Sequence, residues 1–358
     1  MRIQRGLAAI HVAHPALEVD VGLVDVLKLM DPTGARLVVE EYLKFLHLYF
    51  LMDASGVIGS GMALLETLTG AALITGVWRK VAAITTGVML VFFSALTLAL
   101  YIKNPRMDCG CFGEAIHLTH FQSLVKNLIL LALWALAFLP FSKLEITRKV
   151  KYVSFPIAAV SVCMFLLYSS LNIPLVDFTP FSPGAELMLP EDIIDPTDDR
   201  TPTLSISDAE GEYVDEKLIE GDLMAVSVYA PEKLKAEQWN EVRQLMQDAA
   251  AEGFTPMILA ASTPEMMESF GLAPEMVAAT FYADPKKLIT LNRSNGGAAF
   301  IQDGMIVTKW HNRHLPDRAK LSELAAADVT ESLLSENNSD RIKLQGFLLY
   351  VFAVMLLL

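Results

Sequence analysis

The residues best suited to chemistry are two of the three cysteines, Cys109 and Cys111, in the sequence DCGCFG at residues 108–113. Thiols separated by one glycine lie close enough to form a strained disulfide, and strained, exposed disulfides tend to be the labile, catalytic ones. A nucleophilic thiol needs a cation nearby to lower its pKa, and Lys103 and Arg106 precede the pair. The spacing predicts thiol–disulfide redox chemistry; the alternative is a structural disulfide or two inert thiols.

A second interpretation of the same loop is a metal site. Cys109, Cys111, His117 and His120 follow the spacing C-x-C-x5-H-x2-H. Zinc or copper(I) accepts such ligands, but the spacing matches none of the usual zinc signatures. The other interpretation of the two histidines is that they mark the polar interface where the next helix begins.

Four apolar segments must position this loop, at residues 54–78, 81–102, 121–141 and 153–173. Each provides roughly the 20 apolar residues that a helix needs to cross a bilayer. None alternates with a period of two, so helices are favoured over a barrel. With 53% hydrophobic residues, the chain is predicted to be a multi-pass protein in contact with the lipid bilayer.

Acidic residues are concentrated in the C-terminal half. The segment from Asp177 to Asp340 contains 30 acidic and 12 basic residues, whereas the whole chain has a net charge of −13. This segment is long enough to bury a core of its own. A soluble domain is therefore predicted after the membrane helices, and its acidic surface argues against nucleic acid as a partner.

Basic residues in short loops predict the orientation. Arg79 and Lys80 occupy one turn, and the loop 142–152 holds Lys143, Arg148, Lys149 and Lys151. The positive-inside tendency places both in the cytoplasm. The cysteine loop and the acidic domain are then expected on the extracytoplasmic (periplasmic) side of the cytoplasmic (inner) membrane, where disulfides persist and a protein partner would be met.

One acidic residue stands inside an apolar segment. Glu66 lies near the middle of the first clear span. An intramembrane carboxyl predicts a function, as a proton carrier or a ligand contact. The alternative is a protonated acid that is hydrogen-bonded to another helix.

The chain resembles the DoxX-like and MauE (methylamine utilisation) membrane proteins. The resemblance rests on DCGCFG, on LMDPTG at residues 29–34 and EEYL at 40–43, and on LETLTG at 65–70, and it covers about residues 27–175. It implies a four-helix bundle similar to DsbB and vitamin K epoxide reductase, and a role in maturing a disulfide-rich protein in methylamine metabolism. It favours redox work by Cys109 and Cys111, with quinone as a candidate cofactor.

The soluble segment is similar in its predicted order of elements to membrane-tethered thioredoxin-like domains. Strands are predicted at 223–229, 256–261, 298–302 and 305–310, with a helix at 233–252, a second helix from Pro264 and an early hairpin at 203–214. A thioredoxin would place Cys-x-x-Cys after the first long strand, but residues 230–233 are APEK. The alternative to the redox function is therefore a non-catalytic assembly or partner-binding subunit.

The predicted fold class is an all-α membrane bundle of four helices, the first disrupted, plus a further span, followed by an α/β thioredoxin-like domain. The first helix is disrupted because residues 7–29 are interrupted by His11, His14, Glu18, Asp20 and Asp25. The C-terminal apolar segment is interpreted as an anchor or a truncated span. The predicted divisions are 1–53 with an extracytoplasmic loop, 54–152 for the membrane helices with the cysteine loop, 153–176 for a further helix, 177–330 for the soluble domain, and 331–358 for a spacer and the apolar end.

Overall fold

The computed structural model describes residues 28–105, 107, 118–139, 151–189, 201–328, 333 and 342–350. The chain divides into two compact units. The first, here called the helical unit, comprises residues 1–170 and 345–358, and the second, the sheet unit, comprises residues 171–344. Each unit is described by itself.

Within the described part of the helical unit, five helices have both ends defined, and residues 28–30 and 345–350 are also helical. The five are α1 (Pro32–Phe45), α2 (Ser55–Thr75), α3 (Arg79–Lys103), α4 (His120–Phe138) and α5 (Lys151–Leu171). Four helical segments are long and apolar enough to cross a membrane: Tyr49–Thr75, Arg79–Lys103, His120–Phe138 and Tyr152–Leu171. The prediction of four apolar helices is therefore confirmed.

Helix α1 was not predicted, because its charged residues interrupt the apolar pattern and the segment was assigned to a loop. Its charges are accommodated along the helix, where Arg36 Nε lies 3.3 Å from Glu40 Oε1, one turn away. The helix packs closely against α2, since a Cβ on Gly59 would lie 2.9 Å from the Ala35 carbonyl. The missing side chain of Gly59 is thus what lets the two backbones approach.

Helix α5 packs through one face, which carries Ala158, Val162, Phe165 and Ser169, all buried. The ring of Phe165 stacks on Phe347, with centroids 4.2 Å apart, and residues 342–350 are helical. Cys163 on the same helix is exposed. The helical period turns this position away from the buried face of α5.

The sheet unit has a mixed six-stranded sheet. Its strands are β1 (Ile206–Ser207), β2 (Asp222–Val228), β3 (Thr255–Ala260), β4 (Thr280–Ala283), β5 (Gly297–Gln302) and β6 (Met305–Trp310), in the spatial order β1-β4-β3-β2-β5-β6. The pairs β2–β3 and β3–β4 are parallel, and the other pairs are antiparallel. Five helices accompany it: α6 (Ala236–Ala251), α7 (Pro264–Ser269), α8 (Pro274–Ala278), α9 (Pro285–Leu291) and α10 (Arg318–Ala326).

Hydrophobic residues fill both faces of this sheet. Successive residues of β2 point to opposite faces of the sheet, so Ala225 and Val226 belong to two different buried clusters. One cluster includes α6 and α10, represented by Leu245 and Leu321. The other includes α9 and the entry segment, represented by Phe181. The unit is therefore a three-layer α/β domain.

The four long predicted strands and the helix from Pro264 are confirmed, with shifts of one residue at some ends. The predicted long helix is shorter, because a 3-10 turn at Pro231–Lys233 precedes it. The early hairpin is reduced to a bridge between Ser207 and Tyr213, and β4 was not predicted.

Candidate functional site

A buried ion pair joins Glu66 to Lys28. The Nζ atom of Lys28 donates to Glu66 Oε2 at 2.6 Å, and the Glu66 side chain is only 7% exposed. Glu66 lies about 16 Å along α2 from Ser55, at 1.5 Å per residue, and so sits at the middle of a helix suited to cross a membrane. Glu66 therefore has a lysine as its hydrogen-bond donor, a partner that neither interpretation of the sequence identified.

The same ion pair lies beside a break in a helix. Residues 28–30 are helical, Asp31 is not, and α1 begins at Pro32. Asp31 has φ −122° and ψ 77°, as expected before a proline, and its Oδ1 accepts a hydrogen bond from Gly34 N at 2.8 Å. Leu29 and Met30 are fully buried. The sequence LMDPTG therefore interrupts a helix and holds Lys28 against Glu66.

A polar patch lies between α3 and α4, in the half of their interface nearest the cysteine loop. The Asn127 amide donates to Thr97 Oγ1 at 3.3 Å, and both residues are buried. Ser94 on α3 and Ser123 on α4 are also buried. The other half is tightly packed, since a Cβ on Gly87 would overlap the Trp134 ring, and Trp134 Nε1 donates to the Ala83 carbonyl at 2.7 Å.

The cysteine loop connects the ends of these two helices. Cys109, Cys111 and His117 lie outside the described residues, as does Arg106. At the rim, Lys103 Nζ lies 5.2 Å from the centre of the Phe45 ring, so one predicted neighbour of the thiols also contacts α1.

His120 begins α4 and contacts the loop. Its Nε2 lies 2.9 Å from the carbonyl oxygen of Met107, so that nitrogen acts as the donor. Thr119 caps the helix with a reciprocal pair of hydrogen bonds to Gln122. Within the described residues there is no group of three potential ligands arranged for a metal ion. His120 thus begins α4 and contacts the carbonyl of Met107, while the other three candidate ligands of the metal interpretation lie outside the described residues.

Residues 25–140 match the family model of methylamine utilisation protein MauE. The match contains the helix break, Lys28, Glu66 and the cysteine loop, and it ends after α4. No match was found among curated proteins or among solved structures. The MauE-matching region is thus the part of the helical unit that carries every candidate site residue.

In the sheet unit, the end of β2 is closed by an asparagine. The Asn295 side chain accepts from Ala230 N at 3.0 Å and donates to the Ala230 carbonyl at 2.7 Å. Asn312 in turn donates to the Asn295 carbonyl at 2.8 Å. A side-chain amide thus occupies both backbone groups of Ala230, two residues after β2 ends.

Sequence analysis identified Glu66 from its charge, but not its partner or the hydroxyl patch. Lys28 was missed because it lies next to a segment too rich in charge to be assigned as a span. Ser94 and Ser123 were missed because single serines in apolar helices carry no distinctive pattern. Their signal is visible only in register, since Ser94 and Thr97 are three residues apart on α3, and Ser123 and Asn127 four apart on α4.

Proposed function

We propose that this chain is a multi-pass membrane protein of the MauE type that carries out thiol–disulfide exchange through Cys109 and Cys111. The observation that carries the proposal is that the match to methylamine utilisation protein MauE spans the DCGCFG loop and the helices on both sides of it. The implied process is the maturation of a protein during methylamine metabolism.

We place the protein in the cytoplasmic membrane, with the cysteine loop and the sheet unit on the extracytoplasmic side. The basic turns around Arg79 and around residues 143–151 support this orientation. The loop would then face a compartment in which disulfides persist and meet an extracytoplasmic protein partner.

The electron acceptor in this proposal is a membrane quinone. Oxidation of the Cys109 and Cys111 thiols to a disulfide releases two electrons and two protons, which reduce one quinone to the quinol. Exchange of that disulfide with a dithiol of the partner then oxidises the partner and restores the two thiols. Glu66 is the intramembrane acid in this scheme, and its ion pair with Lys28 keeps a charge at the helix break.

The sheet unit is, in this proposal, a thioredoxin-like binding module. Its parallel β2–β3 pair with α6 between them, and its antiparallel β5–β6 hairpin on the other side of β2, support that comparison. The chain has no cysteine after Cys163. The module therefore binds a partner without exchanging thiols itself.

The closed end of β2 favours one alternative, a non-catalytic assembly subunit. The Asn295 amide already occupies the backbone of Ala230. In this alternative the sheet unit binds a partner, the cysteines form a structural disulfide, and neither thiol changes oxidation state. A metal held by the cysteine–histidine loop is a minor third candidate.

The test follows the oxidation state of single cysteines in native membranes. Because the chain has three cysteines and Cys163 is exposed, a Cys163→Ser variant leaves only the loop pair to react with a thiol-trapping reagent. We expect trapped samples to show both reduced and oxidised forms, with the ratio shifting when quinone or a partner is removed. Cys109→Ser and Cys111→Ser should each abolish that shift.

Cys163→Ser alone is the matched control and should leave the partner's thiols unchanged. A loop pair that stays oxidised under all conditions, with the partner's disulfides intact in both loop variants, would favour the assembly subunit. Zinc or copper that co-purifies with the wild type and is lost in the loop variants would favour the metal site.

A further inference from the structure

Basic and aromatic residues meet at one end of the membrane helices. The candidate spans end at Thr75 on α2 and begin at Arg79 on α3 and at Tyr152 on α5. The rings of Trp78 and Phe155 meet edge-on, with centroids 5.5 Å apart, so the α2–α3 turn lies beside the start of α5. Because three helices suited to cross a bilayer end here, this surface is expected at the depth of the lipid headgroups. We call Trp78, Arg79, Lys80 and Tyr152 the turn cluster.

The two cations of the turn cluster have no acidic partner among the described residues. Lys80 is exposed and Arg79 is half-buried. A Cβ added at Gly76 would lie 2.9 Å from Arg79 Nε, so the guanidinium group lies back over the turn. Neither cation forms an ion pair within the part of the chain that the structure describes, whereas Lys28 and Arg36 of the same unit are each paired with a glutamate. The two charges are therefore available to an anion from outside the chain.

The backbone of the turn is strained at its aromatic residue. Trp78 has φ 47° and ψ 43°, a left-handed conformation that a bulky side chain rarely adopts. Its side chain is 57% exposed, while Val77 before it is buried. Strained residues cluster where ligands are held, and tryptophan is enriched at the level of the lipid headgroups. The strained turn thus presents an interfacial ring directly beside two cations.

The sequence around the turn cluster complements an anion. No acidic residue occurs between Glu66 and Asp108, and residues 142–152, which lead into α5, contain four basic residues and one acidic residue. The cations of the turn cluster are also far from the cysteine loop, since Arg79 and Lys103 lie at opposite ends of α3, about 36 Å apart at 1.5 Å per residue. An anion at this end of the helices therefore belongs to a separate site.

Apolar side chains continue from the turn cluster along the helices. Val81 and Ile84 on α3 and Val153 on α5 are exposed. Their positions next to Lys80 and Tyr152 offer apolar surface directly beside the cations. A ligand that fits this arrangement carries a negative headgroup and hydrocarbon chains.

We propose that the turn cluster binds an anionic phospholipid, with Arg79 and Lys80 on its phosphate and the Trp78 ring at the level of its headgroup. Basic residues between membrane helices are a known means of binding anionic headgroups. On the orientation proposed above, the lipid belongs to the cytoplasmic leaflet. The site is independent of the redox proposal, because it shares no residue with the cysteine loop.

The test counts lipids bound to the full chain, purified in detergent and stripped of lipid, by native mass spectrometry. The probes are palmitoyl-oleoyl phosphatidylglycerol, which is anionic, and the matching phosphatidylcholine, which has no net charge. The test variant is Arg79→Gln with Lys80→Gln. The matched control is Lys44→Gln with Lys103→Gln, which removes two positive charges from the opposite end of the helical unit, where Lys103 contacts the Phe45 ring.

We expect the test variant to bind phosphatidylglycerol at least about tenfold more weakly than the wild type, a ratio equivalent to about 1.4 kcal/mol. The control should keep the wild-type affinity, and binding of phosphatidylcholine should be weaker than that of phosphatidylglycerol in the wild type. Equal losses in the two variants would indicate a general effect of net charge and would overturn the site. Unchanged affinity in the test variant, or equal affinity of the wild type for the two lipids, would overturn it too.

Two further measurements separate the lipid from a free anion and test the ring. Displacement of bound phosphatidylglycerol by millimolar inorganic phosphate would indicate a site for the free ion and would overturn the proposal. Trp78→Gly removes the ring, and glycine accepts the left-handed backbone without strain. This variant should keep its helical circular dichroism and bind phosphatidylglycerol more weakly, whereas Phe50→Ala, at an exposed ring on the opposite end, should not. Wild-type affinity in Trp78→Gly would contradict the proposed site.

Discussion

The buried ion pair between Asp177 and Lys309 should control the stability of the sheet unit. Lys309 Nζ lies 2.6 Å from Asp177 Oδ2, and the two side chains are 3% and 14% exposed respectively. Asp177 Oδ1 also accepts from Thr179 N at 2.8 Å. Removing one member of a buried pair typically costs about 3–5 kcal/mol, because the other charge stays buried. We therefore expect Lys309→Met to lower the melting temperature of the unit by roughly 6–20 °C, at about 2–4 °C per kcal/mol.

The stability that Asp177 contributes should depend on pH. Burial raises the pKa of Asp177, but the charge of Lys309, with hydrogen bonds from Lys309 and Thr179, outweighs burial and holds that pKa below its ordinary value. A carboxyl with a depressed folded pKa stabilises the fold above its unfolded pKa of about 3.9, and this is lost as pH falls further. Lys309→Met removes the charge and the hydrogen bond of Lys309 and leaves burial opposed only by Thr179, so the pKa of Asp177 should rise and the penalty of the substitution should shrink in acid.

Pulse proteolysis of the full chain in detergent, with fragments identified by mass spectrometry, assigns the transition to the sheet unit. The double variant Asp177→Asn, Lys309→Met removes both charges and keeps an acceptor for Thr179, so it should recover much of the loss. Arg318→Met is the matched control. Arg318 Nε lies 2.7 Å from Glu252 Oε1, but the arginine side chain is 63% exposed. Such an exposed ion pair contributes about 0–1 kcal/mol to stability. A Lys309→Met loss no larger than that of Arg318→Met at neutral pH would refute the reasoning.

Three further predictions concern other positions. Gly87→Ala should destabilise the helical unit by about 1–3 kcal/mol, because the added Cβ overlaps a packed ring. Gly61→Ala should not destabilise it, because nothing lies within 4 Å of the added Cβ. Thermal unfolding in detergent checks both variants, and equal effects would contradict the packing. Lys28→Met should cost more stability than Lys28→Met combined with Glu66→Leu, measured by the same assay, because the single variant leaves a carboxylate buried. Burial, with the charges of Arg313 and His314, lowers the pKa of His311 to about 4. Because the unfolded chain then binds a proton at His311 at a higher pH than the folded chain does, the free energy of unfolding should fall as the pH drops from about 6.5 toward 4. His311→Asn should flatten this dependence of stability on pH. An NMR titration midpoint near pH 6.5 for His311 would contradict the prediction.

The sequence allowed the regular parts of the fold to be predicted because their signals are local. Long apolar segments identified α2 to α5, and alternating or continuous apolar strands identified β2, β3, β5 and β6. Helix α1 was not predicted because a tertiary contact stabilises it, the close approach of its backbone to α2 at Gly59. Strand β4 escaped because it has four residues and follows two short helices that each begin at a proline. Its pairing with β3 is a long-range event that no local pattern encodes.

For the candidate site, sequence identified the residues that are chemically unusual and missed those that are unusual only in their surroundings. A carboxyl within an apolar helix is conspicuous by type, so Glu66 was predicted. The role of Lys28 depends on the helix break at Asp31 and on a partner, Glu66, that lies 38 residues away along the chain. Serine is common in membrane helices, where it usually bonds its own backbone. Among the described residues, the buried serines Ser94, Ser123 and Ser169 lack that bond, which only a structure reveals.

The ion pair also constrains what Glu66 can do. As a proton carrier, Glu66 would have to accept a proton and so cancel the negative charge that lies 2.6 Å from Lys28 Nζ. In a medium of low dielectric, that charge stabilises the lysine far more strongly than it would in water. Each protonation would therefore loosen the contact that holds the helix break against α2.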